Sequence, residues 1–571
     1  MELINKQLES LFKENVKTIF NIDSNIEIQN SNKKGFGDYA TNFAMVNSKL
    51  LGKNPREIAQ NLIDNFQESD IIEKLEIAGP GFINIFLKED FINNEFSKIG
   101  NENYDFSFLD TDKKIILDYS SPNIAKRMHI GHLRSTIIGD SIKRILNFTG
   151  YNTVADNHIG DWGTQFGKLI VGYNNWLDRE NYEKDPIEEL ERIYVLFSQE
   201  SEKNPELEDI AREELRKLQT GDEINNKLWH EFIDISLKEY DKIYKRLDIT
   251  FDLYNGESFY NDMMPNIIKE LTDKNIVTED QEALVVFFDE ETNLHPCIVQ
   301  KKDGSFLYST SDLATIKYRK ETLHADKVII ITDERQQDHF RQIFKISEIL
   351  GEGFDYEKVH VWFGIMRFKD GIFSSRKGNI IKLNDLLDEA KQKVRETVEE
   401  KNPNIPAKEK ELISEIVGIG AIKYFDLSQN RTSPIIFEWE KVLSFEGNTG
   451  PYLQYTYARI KSIFRKFKEE NIEYTKNSKI ILESDIEKDL ALVLLNFPNV
   501  VVKAAESYRP NLIADYLFET ARAFNTFYNS KSILKEENKD IMNSRITLSD
   551  KTAYILKTGL DLLGIKTVDR M

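Results

Sequence analysis

The chain of 571 residues is 40% hydrophobic and 30% charged, which excludes wholesale disorder and predicts roughly two to four domains with ordinary cores. A single cysteine, Cys297, excludes an internal disulfide framework and a multi-cysteine zinc site, and suits a reducing compartment. A net charge of −20 argues against a general nucleic-acid binder, yet leaves room for RNA held on local basic and aromatic patches of an acidic body.

In chain order, "MELINKQLESLFKENVK" reads as an amphipathic helix without the apolar core of a signal peptide, and no run long enough to span a bilayer is expected. Residues 1–108 form an α+β module. In it "NKKGFGDYATNFAM" suits a loop entering a helix, and "IAGPGFINIFL" sets a Gly-Pro-Gly turn before an alternating strand. After the polar linker "KIGNENYDFSFLDTD", a βαβ unit opens with the buried strand "KKIILDYS". A helix from Ile130 to Phe148 follows, stopped by Gly150, and "NTVADNHIGDWGTQFG" supplies a strand and a Gly-rich loop. This order predicts a doubly wound parallel sheet over 109–382, carrying a mostly helical insertion at about 175–280. Strands return at "ALVVFF", at "PCIVQKKDGSFLYS" as a hairpin turning at Asp303-Gly304, and at "DKVIIITD" and "KVHVWFGIM". Between them "TSDLATIKYRKE" is a helix capped by Thr310 or Ser311. Residues 383–445 read as a helical connecting region and 446–571 as an all-α bundle.

The chemistry concentrates in "SSPNIAKRMHIGHLRSTIIGD", Ser120 to Asp140. A helix N-terminus presents unpaired N–H groups and favours phosphate. His129 and His132 are three apart and share a face, and Gly131 between them lets a flat base or ribose approach the backbone. Imidazoles there can donate hydrogen bonds to a triphosphate as its charge grows in a displacement. The competing reading is a capped helix with two incidental histidines. The spacing of Pro122, His129, Gly131 and His132 after a buried strand speaks against it.

"HIGH" after "SPNIAK" resembles the first signature of class I aminoacyl-tRNA synthetases. The wider "DYSSPNIAKRMHIGHLRSTIIGD", with "NHIGDWGTQFG", "STSDLATIKYR", "DERQQDHF", "GNTGPYLQYTYAR" and "LLGIKTVDRM", resembles the arginyl-tRNA synthetases over essentially the whole chain. The resemblance implies a Rossmann-type catalytic core, an N-terminal tRNA-contacting domain, a stem-contact region and an anticodon-binding helical bundle. It implies arginyl-adenylate formation and transfer of the arginyl group to tRNA. ATP arrives with Mg²⁺ as substrate, and no structural metal or dedicated carboxylate cage is expected. The implied enzyme is a cytoplasmic monomer with no membrane contact.

The second class I signature has its counterpart in "IFSSRKGN", Ile372 to Asn379. It departs from Lys-Met-Ser-Lys-Ser: after Ser374, the central lysine position is Ser375, and the basic Arg376 and Lys377 are displaced. Some arginyl enzymes share this departure, with a lysine before the first signature in compensation, and Lys126 stands there. For a substrate guanidinium, which wants planar carboxylate partners, the resemblance offers Asp118 at the end of its strand, Asp312 as a helix cap, and Tyr308 one turn earlier. Ser121, Pro122, Asn123, His132 and Gln336 match positions near the substrate arginine, the last three at its α-amino and α-carboxylate groups. Trp162 is a candidate pocket wall. Phe82 and Asn84 are the tRNA contacts expected in the N-terminal module, and Tyr452, Tyr455 and Arg459 those near the anticodon. Core packing competes for each aromatic in this set.

Two rival readings remain open at this point. Another class I synthetase or nucleotidylyl transferase would have to explain two pocket acids. A non-catalytic synthetase-like RNA-binding protein would have to explain the retained histidines, although the altered second signature favours it.

Overall fold

The structure is a computed structural model that describes residues 1–31, 36–368 and 382–571. In the first module the helix Ile4–Phe20 buries Leu8, Phe12 and Val16, at helical spacing, against an antiparallel sheet. The sheet holds β1 (Ile28–Asn30), β2 (Tyr39–Thr41), β3 (Ile72–Ala78) and β4 (Phe82–Leu87), in the order β1-β2-β4-β3. Along β4, Ile83, Ile85 and Leu87 alternate into the core while Phe82 stands on the other face, 40% exposed.

The central sheet is wholly parallel: β5 (Lys114–Asp118), β6 (Asn152–Asp156), β10 (Lys327–Ile330) and β11 (Glu357–His360), in the order β11-β10-β5-β6. Between β6 and β10 the chain adds β7 (Thr278–Asp280), β8 (Ala283–Val286) and β9 (Cys297–Gln300), a small antiparallel sheet. The expected doubly wound core is present. β5 feeds the helix Ile130–Phe148 and then β6 on one side, while β10 pairs on the other, so strand order reverses at β5. Ligands bind at such a switch point, beyond the carboxyl ends of the strands. The register puts Asp156, Asp118, Ile330 and His360 side by side along that edge.

The helix Ile130–Phe148 matches its sequence bounds, and Gly150 follows it at φ 96°. It lies so close on the sheet that a Cβ at Gly139 would sit 2.2 Å from Cγ of Tyr119. The segment expected as the insertion includes the long helix Glu223–Leu247. Asp222 caps it by accepting from the backbone N–H groups of Ile224 and Asn225, and Asp248, at φ 57°, ends it.

Two local expectations are corrected. The return arm of the Asp303-Gly304 hairpin is reduced to one bridge, Gln300 to Phe306, because the chain enters the helix Tyr308–Glu321 at once. The cap position of that helix is Leu307, so Thr310, Ser311 and Asp312 lie inside it and none caps it. The hydroxyls of Ser309 and Thr310 instead pin the helix across β9. Ser309 Oγ donates to the Ile298 carbonyl at 2.6 Å, and Thr310 Oγ1 donates to that of Val299.

The strands β12 (Met366–Phe368) and β13 (Ile435–Phe437) form a parallel pair beyond the central sheet. From Gly450 onward the chain is a helical bundle: Gly450–Glu469, Asp485–Leu495, Phe497–Ser507, Asn511–Ser530 and Lys539–Leu562. The expectation of no membrane-length apolar run fails at 485–507, which is long and apolar enough by composition. It is two core helices, with Pro498 in the first turn of the second, and 61% of its apolar window is buried in the bundle.

Candidate active site

Between β5 and the helix Ile130–Phe148 three non-glycine residues take positive φ: Ser120 at 79°, Ser121 at 47° and Ala125 at 59°. Such conformations cost roughly 1–3 kcal/mol each and persist only where surroundings fix them. Here Ser120 N–H donates to Ser135 Oγ at 2.9 Å, Ser121 N–H to Asn157 Oδ1 at 3.0 Å and Ala125 N–H to Ser236 Oγ at 2.9 Å. Tyr240 OH donates to the carbonyls of Asn123 at 2.6 Å and Lys126 at 2.9 Å. Ser236 and Tyr240 belong to the helix Glu223–Leu247, so that helix holds the loop in shape. Pro122 is buried and its carbonyl accepts from Gly160 N–H at 3.1 Å. Asn123 is exposed, and a Cβ on Gly160 would lie 2.1 Å from its Oδ1, so glycine is what lets this amide sit over the loop.

At the helix tip the histidines build a reciprocal cap. Gly131 N–H donates to His129 Nδ1 and His129 N–H donates to His132 Nδ1, both at 3.0 Å. The rings stack with centroids 3.9 Å apart. A Cβ on Gly131 would meet the His129 ring at 2.7 Å, so the glycine is required first by the histidine itself. Burial, with the charges of Lys126 and Arg335, holds the His129 imidazole below its ordinary value. Burial, with His129 and Lys126, holds His132 well below it. Both rings are therefore neutral at pH 7. With Nδ1 accepting, each carries its proton on Nε2, a tautomer that leaves an Nε2–H donor on each ring at the helix tip, while the N–H groups of Gly131 and His132 are taken up by His129. Lys126 Nζ lies 4.5 Å from the centroid of the Tyr194 ring. Lys382 bridges to His129, and Leu383 N–H donates to the Met128 carbonyl at 2.9 Å. Ser374, Ser375, Arg376 and Lys377 lie outside the described residues.

The acids separate into two groups. Asp118 does end β5, but its carboxylate is already engaged: Arg319 Nη2 donates to Asp118 Oδ2 at 2.6 Å and to Asp156 Oδ2 at 2.9 Å, all three side chains being buried. Ser121 Oγ donates to the other Asp118 oxygen at 3.3 Å. The carboxylate expected to meet a substrate guanidinium is thus already paired within the protein. An internal guanidinium from the helix Tyr308–Glu321 takes that place.

The second group carries a surplus of negative charge. Asp312 accepts from His339 Nε2 at 2.5 Å, with both side chains a quarter exposed. Burial works against charge on His339, but the hydrogen bond and charge of Asp312 prevail and raise its value. Glu257, which no sequence motif marks, joins them. Burial first, then the charges of Asp312 and Asp161, push its carboxyl up to about 8. Tyr308 stands at the rim, 63% exposed, with burial and the same Glu257 and Asp312 raising its phenol. Asp161 is tied to Ser258 through N–H at 2.8 Å and Oγ at 2.6 Å. Trp162 is half-buried and edge-on to Trp229 at 5.7 Å, whose Nε1 donates to the Asp161 carbonyl at 2.8 Å. Gln336 is exposed and closes the short turn before the helix Gln337–Leu350, which carries His339. Such a pocket, acidic and short of one cation, fits a guanidinium of substrate.

The residues expected to touch RNA lie apart from this centre. Phe82 is exposed, but Asn84 is only 6% exposed, because a Cβ at Gly37 would lie 3.2 Å from its own Cβ. Asn84 is therefore covered rather than presented. On the bundle, Arg459 lies over Tyr455 at 4.9 Å and Tyr528 at 5.7 Å and donates to Asn525 at 2.9 Å, while Asn525 donates to Tyr452 OH at 2.8 Å.

Comparison with known proteins agrees along the whole length. The arginyl-tRNA synthetase N-terminal domain matches residues 4–87, the catalytic domain of class I tRNA synthetases (R) 99–439, and the DALR anticodon-binding domain 453–571. An arginine–tRNA ligase of Fusobacterium nucleatum is 59% identical over all of both chains. The crystal structure of the Plasmodium falciparum arginyl-tRNA synthetase is 31% identical and superposes with a TM-score of 0.84 over all of both chains. The Thermus thermophilus arginyl-tRNA synthetase, 24% identical and equally covered, shares the fold with a TM-score of 0.83. The chain belongs to the arginyl-tRNA synthetase family of class I.

Proposed function

We infer that this chain activates L-arginine with ATP and transfers the arginyl group to the terminal adenosine of its tRNA. Two observations support this reading: the acidic cluster of Glu257, Asp312 and Asp161, with His339 on Asp312, and the two Nε2–H donors at the tip of the helix Ile130–Phe148.

Glu257 and Asp312 take the guanidinium, with Tyr308 at the rim and Trp162 behind Asp161. A neutral isostere leaves these acids unpaired and is rejected. Asn123, His132 and Gln336, with Ser121 and Pro122 shaping the loop, receive the α-amino and α-carboxylate groups. The carboxylate oxygen attacks the α-phosphorus of MgATP in line. The bond to the bridging oxygen breaks, and pyrophosphate leaves with the electron pair. His129 and His132 donate Nε2–H to the phosphate oxygens as their charge grows, and the positive end of the helix dipole adds its field. Lys126, with Arg376 and Lys377 of the 372–379 segment, balances the triphosphate. In the second step a ribose hydroxyl of the tRNA attacks the activated carbonyl and AMP leaves. Magnesium comes with ATP as substrate. Tyr452, Tyr455 and Arg459 form the anticodon platform, on which aromatic and guanidinium faces stack bases. The enzyme works as a cytoplasmic monomer without membrane contact.

ATP–pyrophosphate exchange across the amino acids, with and without tRNA, tests the reading. Arginine-dependent exchange is expected. Exchange with another amino acid defeats it, and no exchange with any, together with no tRNA charging, favours a binding protein. Lys126→Ala should slow adenylate formation by about tenfold or more, and an unchanged rate removes Lys126 from the phosphate site. Tyr455→Ala should weaken tRNA binding by about 1–3 kcal/mol, measured by filter binding, with arginine affinity unchanged.

A further inference from the structure

Arg134 is a charged side chain that the chemistry above leaves unused. It lies two residues beyond His132, on the same helix, and is 1% exposed. A buried guanidinium is expensive unless its donors are satisfied, so its partners matter. Nε sits 3.0 Å from Asp426, near the end of the helix Ala407–Leu427, which is equally buried. Nη1 donates to the carbonyl of Gly364, and Nη2 donates to that of Arg431 at 3.3 Å. The guanidinium also faces Phe363 at 5.4 Å.

These partners share one place. Gly364 lies just before β12, the strand that runs toward residues 372–379. Its N–H donates to the Arg431 carbonyl at 2.9 Å, and Arg431 donates in turn to the carbonyl of Trp362. A Cβ at Gly364 would lie 2.9 Å from the Ser433 backbone, so the two segments touch without room for a side chain. On the far side of 372–379, Lys382 bridges to His129 and Leu383 binds Met128. Both flanks of the segment are therefore fastened to the first-signature region, the leading flank through the hydrogen bonds of Arg134.

We propose that Arg134 is a positioning residue for adenylate formation, locking the strand that leads into 372–379, and the helix Ala407–Leu427, onto the helix that carries His129 and His132. It touches no substrate. Its five donors in a fixed fork reach one carboxylate and two carbonyls at once, which a lysine cannot do. The proposal rests on the reading of 372–379 as the segment that meets the ATP phosphates.

Pyrophosphate exchange by Arg134→Lys, with active sites counted by adenylate burst, gives KM for ATP and for arginine separately. Per active site, KM for ATP should rise by about tenfold while KM for arginine stays within about twofold. An unchanged KM for ATP, or an equal rise of both, overturns the proposal, since a merely structural role changes only the number of active sites. If Arg134→Lys does not fold, Asp426→Asn takes its place, keeping an acceptor and removing the charge, with the same two outcomes. Arg376→Ala and Lys377→Ala in parallel separate the levels. If they leave KM for ATP unchanged, the phosphate reading of the segment fails. If they raise it and the Arg134 or Asp426 variant does not, only the positioning role fails.

Discussion

Two acid clusters in the catalytic domain have opposite charge balance, one buried and one partly open. In one, Asp118 and Asp156 grip Arg319, a triad with a cation of its own and almost no exposure. In the other, which gathers Glu257, Asp312 and Asp161, His339 pairs with Asp312 and no arginine bridges the acids in the described residues, and Glu257 holds its proton up to about 8. A completed cluster is part of the core, because any arriving cation would have to displace an arginine already desolvated. An incomplete cluster is a binding site, because its acids are held together at a cost that only a ligand relieves.

The largest effect should come from breaking the completed cluster. Arg319→Met leaves two carboxylates buried without a partner, and stability should fall by about 3–5 kcal/mol, read from urea unfolding. Asp118→Asn belongs with it: it should lower stability while KM for arginine stays within about threefold. A large KM effect with intact stability would return Asp118 to the substrate. The incomplete cluster should respond the other way. Asp312→Asn should cost about 10²–10³ in kcat/KM for arginine with stability changed by less than about 1 kcal/mol, because no built-in arginine depends on it. Steady-state exchange and thermal unfolding on the same preparation distinguish the two patterns.

The same contrast explains what the sequence could and could not say. The βαβ start, the bounds of the helix Ile130–Phe148 and the paired histidines follow from local patterns: a buried run, a cap-like tip, and a glycine stop. Asp118 is visible as an acid at a strand end, but its partner Arg319 is 201 residues away, and no local rule links them. Arg319 does leave a trace, lying on the apolar face with Leu313 and Ile316, where a charge needs an explanation. Glu257 leaves none, since "NGESFY" has no spacing that marks a ligand. Thr310, Ser311 and Asp312 are all capping types, and the type does not tell a cap from a bond to β9 or to His339. Asn84 shows the same limit, as strand alternation gives its face but not what covers it.

The smallest effect is in pH, and its sign follows from the incomplete cluster. The groups around Glu257 are Asp161 and Asp312, with Tyr308, His158, His339 and Cys297 linked to those acids. A carboxyl raised from 4.5 to about 8 in the folded protein favours the empty fold while protonated. That contribution is complete below about 4.5 and lost as pH rises toward about 8. Arginine needs the ionised form, so its affinity should move the other way, rising by up to about fiftyfold between roughly pH 6 and 8. His339 adds the same sign, because its proton competes with the guanidinium for Asp312. Binding should therefore release protons, seen as an enthalpy that depends on the ionisation heat of the buffer. Arginine should also raise the melting temperature more at pH 8 than at pH 6. Glu257→Gln removes one titrating group while keeping a neutral side chain of the same shape. It should flatten the pH dependence and leave only the His339 contribution. A wild-type binding enthalpy identical in all buffers would mean that Glu257 and His339 keep their protons when arginine binds, and that the pocket is less short of a cation than its geometry implies.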